Sequence, residues 1–435
     1  MSTEPGDEHT RFTKWAIANG IKIEGVAPAR FPGRRLGMIA TRDIEENTTL
    51  LTIPTNLMVN IDSIPASFKS QFPPGTSIHG ILAAYLTHGD PNLLKALDPW
   101  RAVWPPWSEF ENSMPVFWPQ RVLTTTSQKR DKMSTLPPSI SGVWNTLPHL
   151  NDSLHENGEH DEVSETKAGA SGASGAQYQN LLPAQNKRFR DSLRNVQTVY
   201  PQTKFEEFAY HWAIINSRSF YYLSPGGDEP EDWNDAIGLV PYADYFNHVD
   251  DAACHVAFDE NEYTFTATRR YANGEEVYMS YGSHSNDFLL VEYGFCLDSN
   301  PSDSVFLDPI ILSELNEAQK QDLAANGCLG NYEVKCAGAN TSTLYAASIT
   351  YMIRRDWKKY VVGSSVKGYD AEKTAGIVQG WFEKYLTESD ATYEAIMKNY
   401  DSAVAGGDRE KIDLLLSRWK QIQELIRCAL SATHT

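Results

Sequence analysis

An α+β protein with a separate all-helical C-terminal domain is what this sequence predicts. Three observations carry that reading. Short runs of β-branched and small apolar residues, broken by tight turns, fill residues 20–60 and return between 238 and 295. From about residue 300 onward, apolar side chains recur at spacings of three and four, the period of an amphipathic helix. Between them, residues 151–177 are acidic and then Gly/Ala/Ser-rich, with almost no large apolar residue. Such a segment cannot offset its ordering entropy, so a mobile surface linker is expected.

Taken in order, FTKWAIANG reads as a short helix with Phe12, Trp15 and Ile17 as its apolar side and Gly20 as its stop. IKIEGVAPARF, LGMIATRDI and TLLTIP follow as strands, with PGRR and EENT as turns. SIHGILAAYLTHG places Ile78, Ile81, Leu82, Tyr85 and Leu86 at helical spacing. The Pro-rich run after it holds Trp100, Trp104, Trp107 and Trp118 and reads as packed, irregular core. Helices are expected at about 178–198 and over TKFEEFAYHWAIINSRSF, where Phe205, Phe208, Trp212 and Ile215 form a stripe. AACHVAF and YTFTATR alternate apolar and polar residues around DENE, as a hairpin does. HSNDFLLVEYGF reads as a short helix. The tail predicts four more, over TLYAASITYMIRRDWKKY, TAGIVQGWFEKYLT, ATYEAIMKNY and KIDLLLSRWKQIQELIRCAL. ATRDIEENTTLLTIP and ATRRYANGEEVYMSY share a layout of strand, basic residue, one hydrophobic residue, turn and strand, which suggests two similar β units.

Composition narrows the function classes. The chain has 435 residues and a formal net charge of −18, which argues against a nucleic-acid groove and favours encounter with a basic, lysine-rich protein. No apolar run reaches the roughly 18 residues a membrane span needs, and the first residues are polar, so a cytosolic or nuclear monomer is expected. Five scattered Cys without a CxxC pair predict reduced thiols.

Two polar clusters concentrate the chemistry: PYADYFNH at 241–248 and SYG at 280–282. Asp244, His248 and His255 do not assemble a convincing metal site, which needs about three converging ligands and a supporting shell. Ser280, His284 and Asp287 lack the strand–turn–helix setting of a nucleophile elbow. Seven tyrosines (Tyr242, Tyr245, Tyr263, Tyr271, Tyr278, Tyr281 and Tyr293) wall this stretch. Most read as strand or core residues.

The combination of GRRLGMIA at 33–40, SRSF at 217–220, PYADYFNH, GEEVYMSYG at 274–282 and YGF at 293–295 resembles the SET-domain protein methyltransferases, and within them the Rubisco large-subunit methyltransferase type. The order and spacing of five motifs make the resemblance specific. It implies a SET β fold with a knot-like C-terminal part, its two halves at 20–60 and 205–297, a mostly helical insert at 61–204, and a helical substrate-binding domain at 300–435. It implies S-adenosylmethionine as cofactor and a lysine-presenting protein as substrate (a ribosomal protein, translation factor or histone). A histidine acceptor, or a non-catalytic partner-binding role, is the alternative. By motif position, Tyr281 is the catalytic residue. Arg34, Arg35, Leu36, Arg218, Asn247, His248 and Phe295 correspond to cofactor contacts. Asp244, Tyr293 and Tyr222 correspond to the substrate side. Tyr222 stands where the plant enzymes carry a second arginine, so their substrate does not carry over. No metal is implied.

Elementary chemistry agrees with that resemblance. A lysine with an ordinary pKa near 10.4 costs about 4–5 kcal/mol to hold neutral at pH 7. An apolar, aromatic-walled channel lowers that cost by desolvation, and tyrosine supplies both ring wall and hydroxyl.

Overall fold

The structure, a computed structural model, describes residues 4–31, 35–126, 132–151, 178–224, 226, 236–251 and 254–432. The expected linker falls on 152–177 and, with Arg34, lies outside the described residues. The chain divides into two compact units, residues 1–110 with 186–283, and residues 111–185 with 284–435.

Strands dominate the first unit. One sheet orders Lys22–Ile23, Thr49–Pro54, Glu262–Ala267 and Cys254–Phe258, all antiparallel. The last two form the expected hairpin, with Cys254 opposite Ala267 and Phe258 opposite Tyr263. A second sheet orders Asn247–His248, Glu276–Met279, Arg35–Ala40 and Val26–Phe31. Its first pair is parallel and the others antiparallel. A third joins Val59–Asn60, Ile237–Leu239 and Ser219–Tyr221. The two similar β units meet at their equivalent hydrophobic residues: Ile44 and Tyr271 exchange backbone hydrogen bonds at 2.9 and 3.0 Å.

Helices support these sheets. Asp7–Ala18 buries His9, Phe12 and Ala16, a stripe at helical spacing, while Ile17 is 58% exposed. The expected apolar side is thus rotated, because His9 finds a buried partner in Tyr245 (His9 Nδ1 to the hydroxyl, 2.8 Å). Ile78–His88 is capped by Ser77, whose hydroxyl accepts from the Gly80 N–H, and buries Leu82, Tyr85 and Leu86. Phe205–Arg218 buries Phe208, Trp212 and Ile215 but leaves Phe205 half exposed at its first turn. Trp100 and Trp104 are buried, as core tryptophans.

The second unit packs around Trp144, Trp357, Trp381 and Trp419, all buried, with Trp118 and Tyr385. Three tail expectations change. TAGIVQGWFEKYLT and ATYEAIMKNY belong to one helix, Ala371–Lys398, since no Gly or Pro separates them. TLYAASITYMIRRDWKKY divides instead into Thr341–Ile349 and Arg354–Val361. A small sheet of Val305–Phe306, Glu333–Lys335 and Gly338–Ala339 interrupts the helices. Cys336 and Cys428 form a disulfide across 92 residues of sequence, which corrects the expectation of reduced thiols throughout. Their spatial approach carries no local sequence signal.

Candidate functional site

The segment 241–248 reaches its conformation through one uncommon backbone choice. Tyr242 adopts φ 74°, the left-handed region that side chains rarely occupy, and leads into a 3-10 turn at Ala243–Tyr245. Packing holds it there. Tyr242 is fully buried, its ring 5.7 Å from Phe12 and 5.3 Å from Tyr245. Burial pushes its hydroxyl up to about 12.

The turn places Asp244 beside the end of helix Phe205–Arg218. Arg218 Nη1 donates to the Asp244 carbonyl at 2.9 Å and to Oδ2 at 3.4 Å, and Trp100 Nε1 donates to Oδ2 at 3.2 Å. The Asp244 side chain is only 4% exposed, and burial drives its carboxyl upward against the pull of Arg218. Asp244 Oδ1 and Arg218 Nε are buried without a hydrogen-bond partner among the described residues.

Two residues on, the chain becomes the strand Asn247–His248, parallel to Glu276–Met279. Asn247 Nδ2 donates to the Leu36 carbonyl at 3.0 Å and to Glu276 Oε1 at 2.7 Å. Gly37 makes room for this. A Cβ on Gly37 would stand 2.6 Å from Asn247 Nδ2 and 2.7 Å from Glu276 Oε1.

Tyr281 is fastened to the same segment at both ends. Its backbone N–H donates to His248 Nδ1 at 3.0 Å, so that nitrogen carries no proton. Its hydroxyl donates to the Phe246 carbonyl at 2.6 Å, and its ring stacks on His248 at 5.0 Å. With its O–H hydrogen committed, the oxygen presents lone pairs only. Burial pushes Tyr281 up to about 12, so it stays protonated at neutral pH. The arrangement can align and accept a hydrogen bond; it does not act as a base.

Leu36, Arg218, Asp244, Asn247, His248 and Tyr281 are therefore brought together within the first unit. Arg35 opens the strand that carries Leu36. Tyr222 is buried, and its hydroxyl donates to Asp62 Oδ2 at 3.1 Å. Tyr293 and Phe295 belong to the second unit, on either side of the helix cap Gly294, with ring centroids 6.2 Å apart. Trp100, Gly37 and Glu276 are contributors that motif reading passed over. Glu276 lay inside GEEVYMSYG, after Glu275 and at the head of the strand Glu276–Met279.

S-adenosylmethionine has an amino-acid end and an adenine end. The donor set fits such a molecule: a guanidinium with an uncommitted buried Nε suits a carboxylate.

Residues 35–282 match the family model described as the SET domain. The ribosomal lysine N-methyltransferase set11 of Schizosaccharomyces pombe is 27% identical over 308 residues, 71% of this chain and 65% of that one. SET domain-containing protein 4 of Homo sapiens is 22% identical, covering 98% of this chain and 92% of that one. A solved structure of Rubisco LSMT bound to sinefungin and monomethyllysine matches with a TM-score of 0.57 at 14% identity, over 99% of this chain and 92% of that one. This last likeness is one of fold.

Proposed function

The chain belongs to the SET-domain family, and from that premise we propose that it is an S-adenosylmethionine-dependent protein-lysine N-methyltransferase. The observation that carries the proposal is Tyr281, half-buried and protonated, its O–H committed to the Phe246 carbonyl so that its oxygen accepts. When bound, the cofactor supplies a methyl group on a sulfonium for transfer to a neutral amine. The residues supply alignment. Arg218 holds the cofactor carboxylate, and Asp244, itself fixed by Trp100, holds Arg218. The backbone at Asn247 and His248 holds the adenine, with Leu36 completing the cofactor contacts. Tyr281 accepts a hydrogen bond from the incoming amine and turns its lone pair toward the methyl group. Asp244 and Tyr222 line the substrate side. The catalytic contribution is orientation and fixed dipoles in a desolvated channel.

The substrate class follows from the fission-yeast relative, whose name gives it a ribosomal target, and from the −18 charge, which attracts basic proteins. A ribosomal protein met in the cytoplasm is the first candidate, ahead of a translation factor or histone. No helix among the described residues is long and apolar enough to cross a membrane.

The test is to incubate the full chain with methyl-labelled cofactor and purified ribosomal proteins, and to locate the label by mass spectrometry. Label on lysine, lost by about 100-fold or more in Tyr281→Phe, is expected. Label on histidine would revise the acceptor. Absence of labelling, together with absence of cofactor binding by calorimetry, would leave a partner-binding SET fold and overturn the proposal.

A further inference from the structure

We infer that Glu276 sets the affinity of this site for its cofactor, as a positioning residue that holds Asn247 in place and touches no reacting atom. The inference rests on the S-adenosylmethionine-dependent reading above.

Asn247 occupies a strand of two residues, paired on one side only, with Tyr278 and Met279 as register partners. So short a strand has too few ladder hydrogen bonds to fix its own position. Its side chain supplies the fastening. Both hydrogens of the Asn247 amide are used, one on the Leu36 carbonyl and one on Glu276 Oε1. Carbonyl and carboxylate are acceptors only, so the amide cannot be turned over without facing acceptor against acceptor. Glu276 therefore determines which way Asn247 points.

The carboxylate is itself held. Glu276 is 8% exposed, and Tyr278, two residues along the same strand, donates its hydroxyl to Oε2 at 2.6 Å. Burying a carboxylate is costly unless it is hydrogen-bonded, and charge-assisted bonds are roughly twice as strong as neutral ones. A group that is costly to bury thus stands where a neutral amide would fill nearly the same volume. Gly37 adds an independent observation. Any side chain at that position would collide with the Asn247–Glu276 bond itself, at 2.6 and 2.7 Å. Three neighbouring strands, 35–40, 247–248 and 276–279, are locked at one point.

This lock joins the two stretches proposed to hold the cofactor, around Leu36 and around Asn247. Tyr281 is fastened by other bonds, to Phe246 and His248. Loosening Glu276 should therefore weaken cofactor binding more than it slows transfer at saturation.

Glu276→Gln removes the charge with little change in volume. Calorimetry with S-adenosylmethionine on the full-length variant is expected to show affinity reduced about tenfold. In the methylation assay KM for the cofactor should rise in parallel, while kcat at saturating cofactor stays within about threefold. Tyr278→Phe, which removes one donor from Glu276, should lower affinity about threefold and decides the question if Glu276→Gln fails to fold. Unchanged affinity in the folded variants overturns the inference, as does a fall in kcat with KM constant, or a lowered melting temperature with unchanged affinity. If the unaltered protein does not bind S-adenosylmethionine, the functional reading fails first and this inference falls with it.

Discussion

Arg218 in the first unit and Arg418 in the second both sit against buried aspartates, yet they are finished differently. Arg418 is fully buried; its Nε donates to Asp287 Oδ1 at 2.7 Å and its Nη1 to Asp303 Oδ2 at 2.6 Å. Arg218 has a side chain 26% exposed and meets one carboxylate, at 3.4 Å, with its shortest bond to a backbone carbonyl. Burial drives the carboxyls of Asp244 and Asp287 upward, and an arginine opposes it in each case. Each guanidinium keeps one buried nitrogen without a hydrogen-bond partner among the described residues, Arg218 Nε and Arg418 Nη2, so the difference lies in the carboxylates that face it. Two carboxylates compensate Arg418 and make it a strut between helix Arg409–Ala432 and the stretch 287–303. Arg218 meets a single carboxylate on one side, and its side chain is partly exposed. A charge completed by protein is structural, while one held on one side is poised for a ligand.

Breaking the completed pair should have the largest effect. Arg418→Met strands Asp287 and Asp303, and the expected loss is about 3–5 kcal/mol, read as a lower denaturant midpoint at constant m-value. Arg218→Met should cost less, about 1–2 kcal/mol, because Asp244 keeps its Trp100 bond and can take up a proton. Its mark is instead a cofactor affinity reduced about 10- to 100-fold. Adding Asp244→Asn should restore stability without restoring affinity; recovery of both would erase the distinction between the two centres.

The smallest effect concerns the helix that carries Arg218. Burial, with Arg101 and His88 adding to it, pushes His211 down to about 4, and its Nδ1 meets the Thr87 hydroxyl at 2.9 Å. Between pH 6.5 and 4 the unfolded chain binds a proton that the native ring refuses. Stability is therefore lost as pH falls through that window. About 1 kcal/mol should be missing at pH 5.5 relative to pH 8, and His211→Gln should flatten that part of the urea-unfolding profile. An unchanged slope would place the pH sensitivity elsewhere.

Legibility in the sequence followed the range of the interactions. Helix Phe205–Arg218, the hairpin Cys254–Ala267 and the C-terminal helix at Arg409–Ala432 were readable because periodicity and turn residues act within a few positions. The break after Ile349 was not, because tertiary packing overrides weak local propensity. Of the residues that motif order singled out, Tyr281, Asn247 and Arg218 all bond to the segment 244–248 or belong to it. Motif order did not show that Tyr281 is tied to Phe246, or that Asp244 is engaged by Trp100 and Arg218.

By itself, then, the sequence determined the family through five ordered motifs and the α+β class through its two periodicities. Tertiary structure alone decided which groups complete one another: Asn247 with Leu36, 211 positions away; Ile44 with Tyr271; Cys336 with Cys428. Patterns of neighbouring residues record a local free-energy preference. A hydrogen bond between residues roughly two hundred positions apart forms only once folding has overcome the entropy of bringing them together, and no local pattern encodes it.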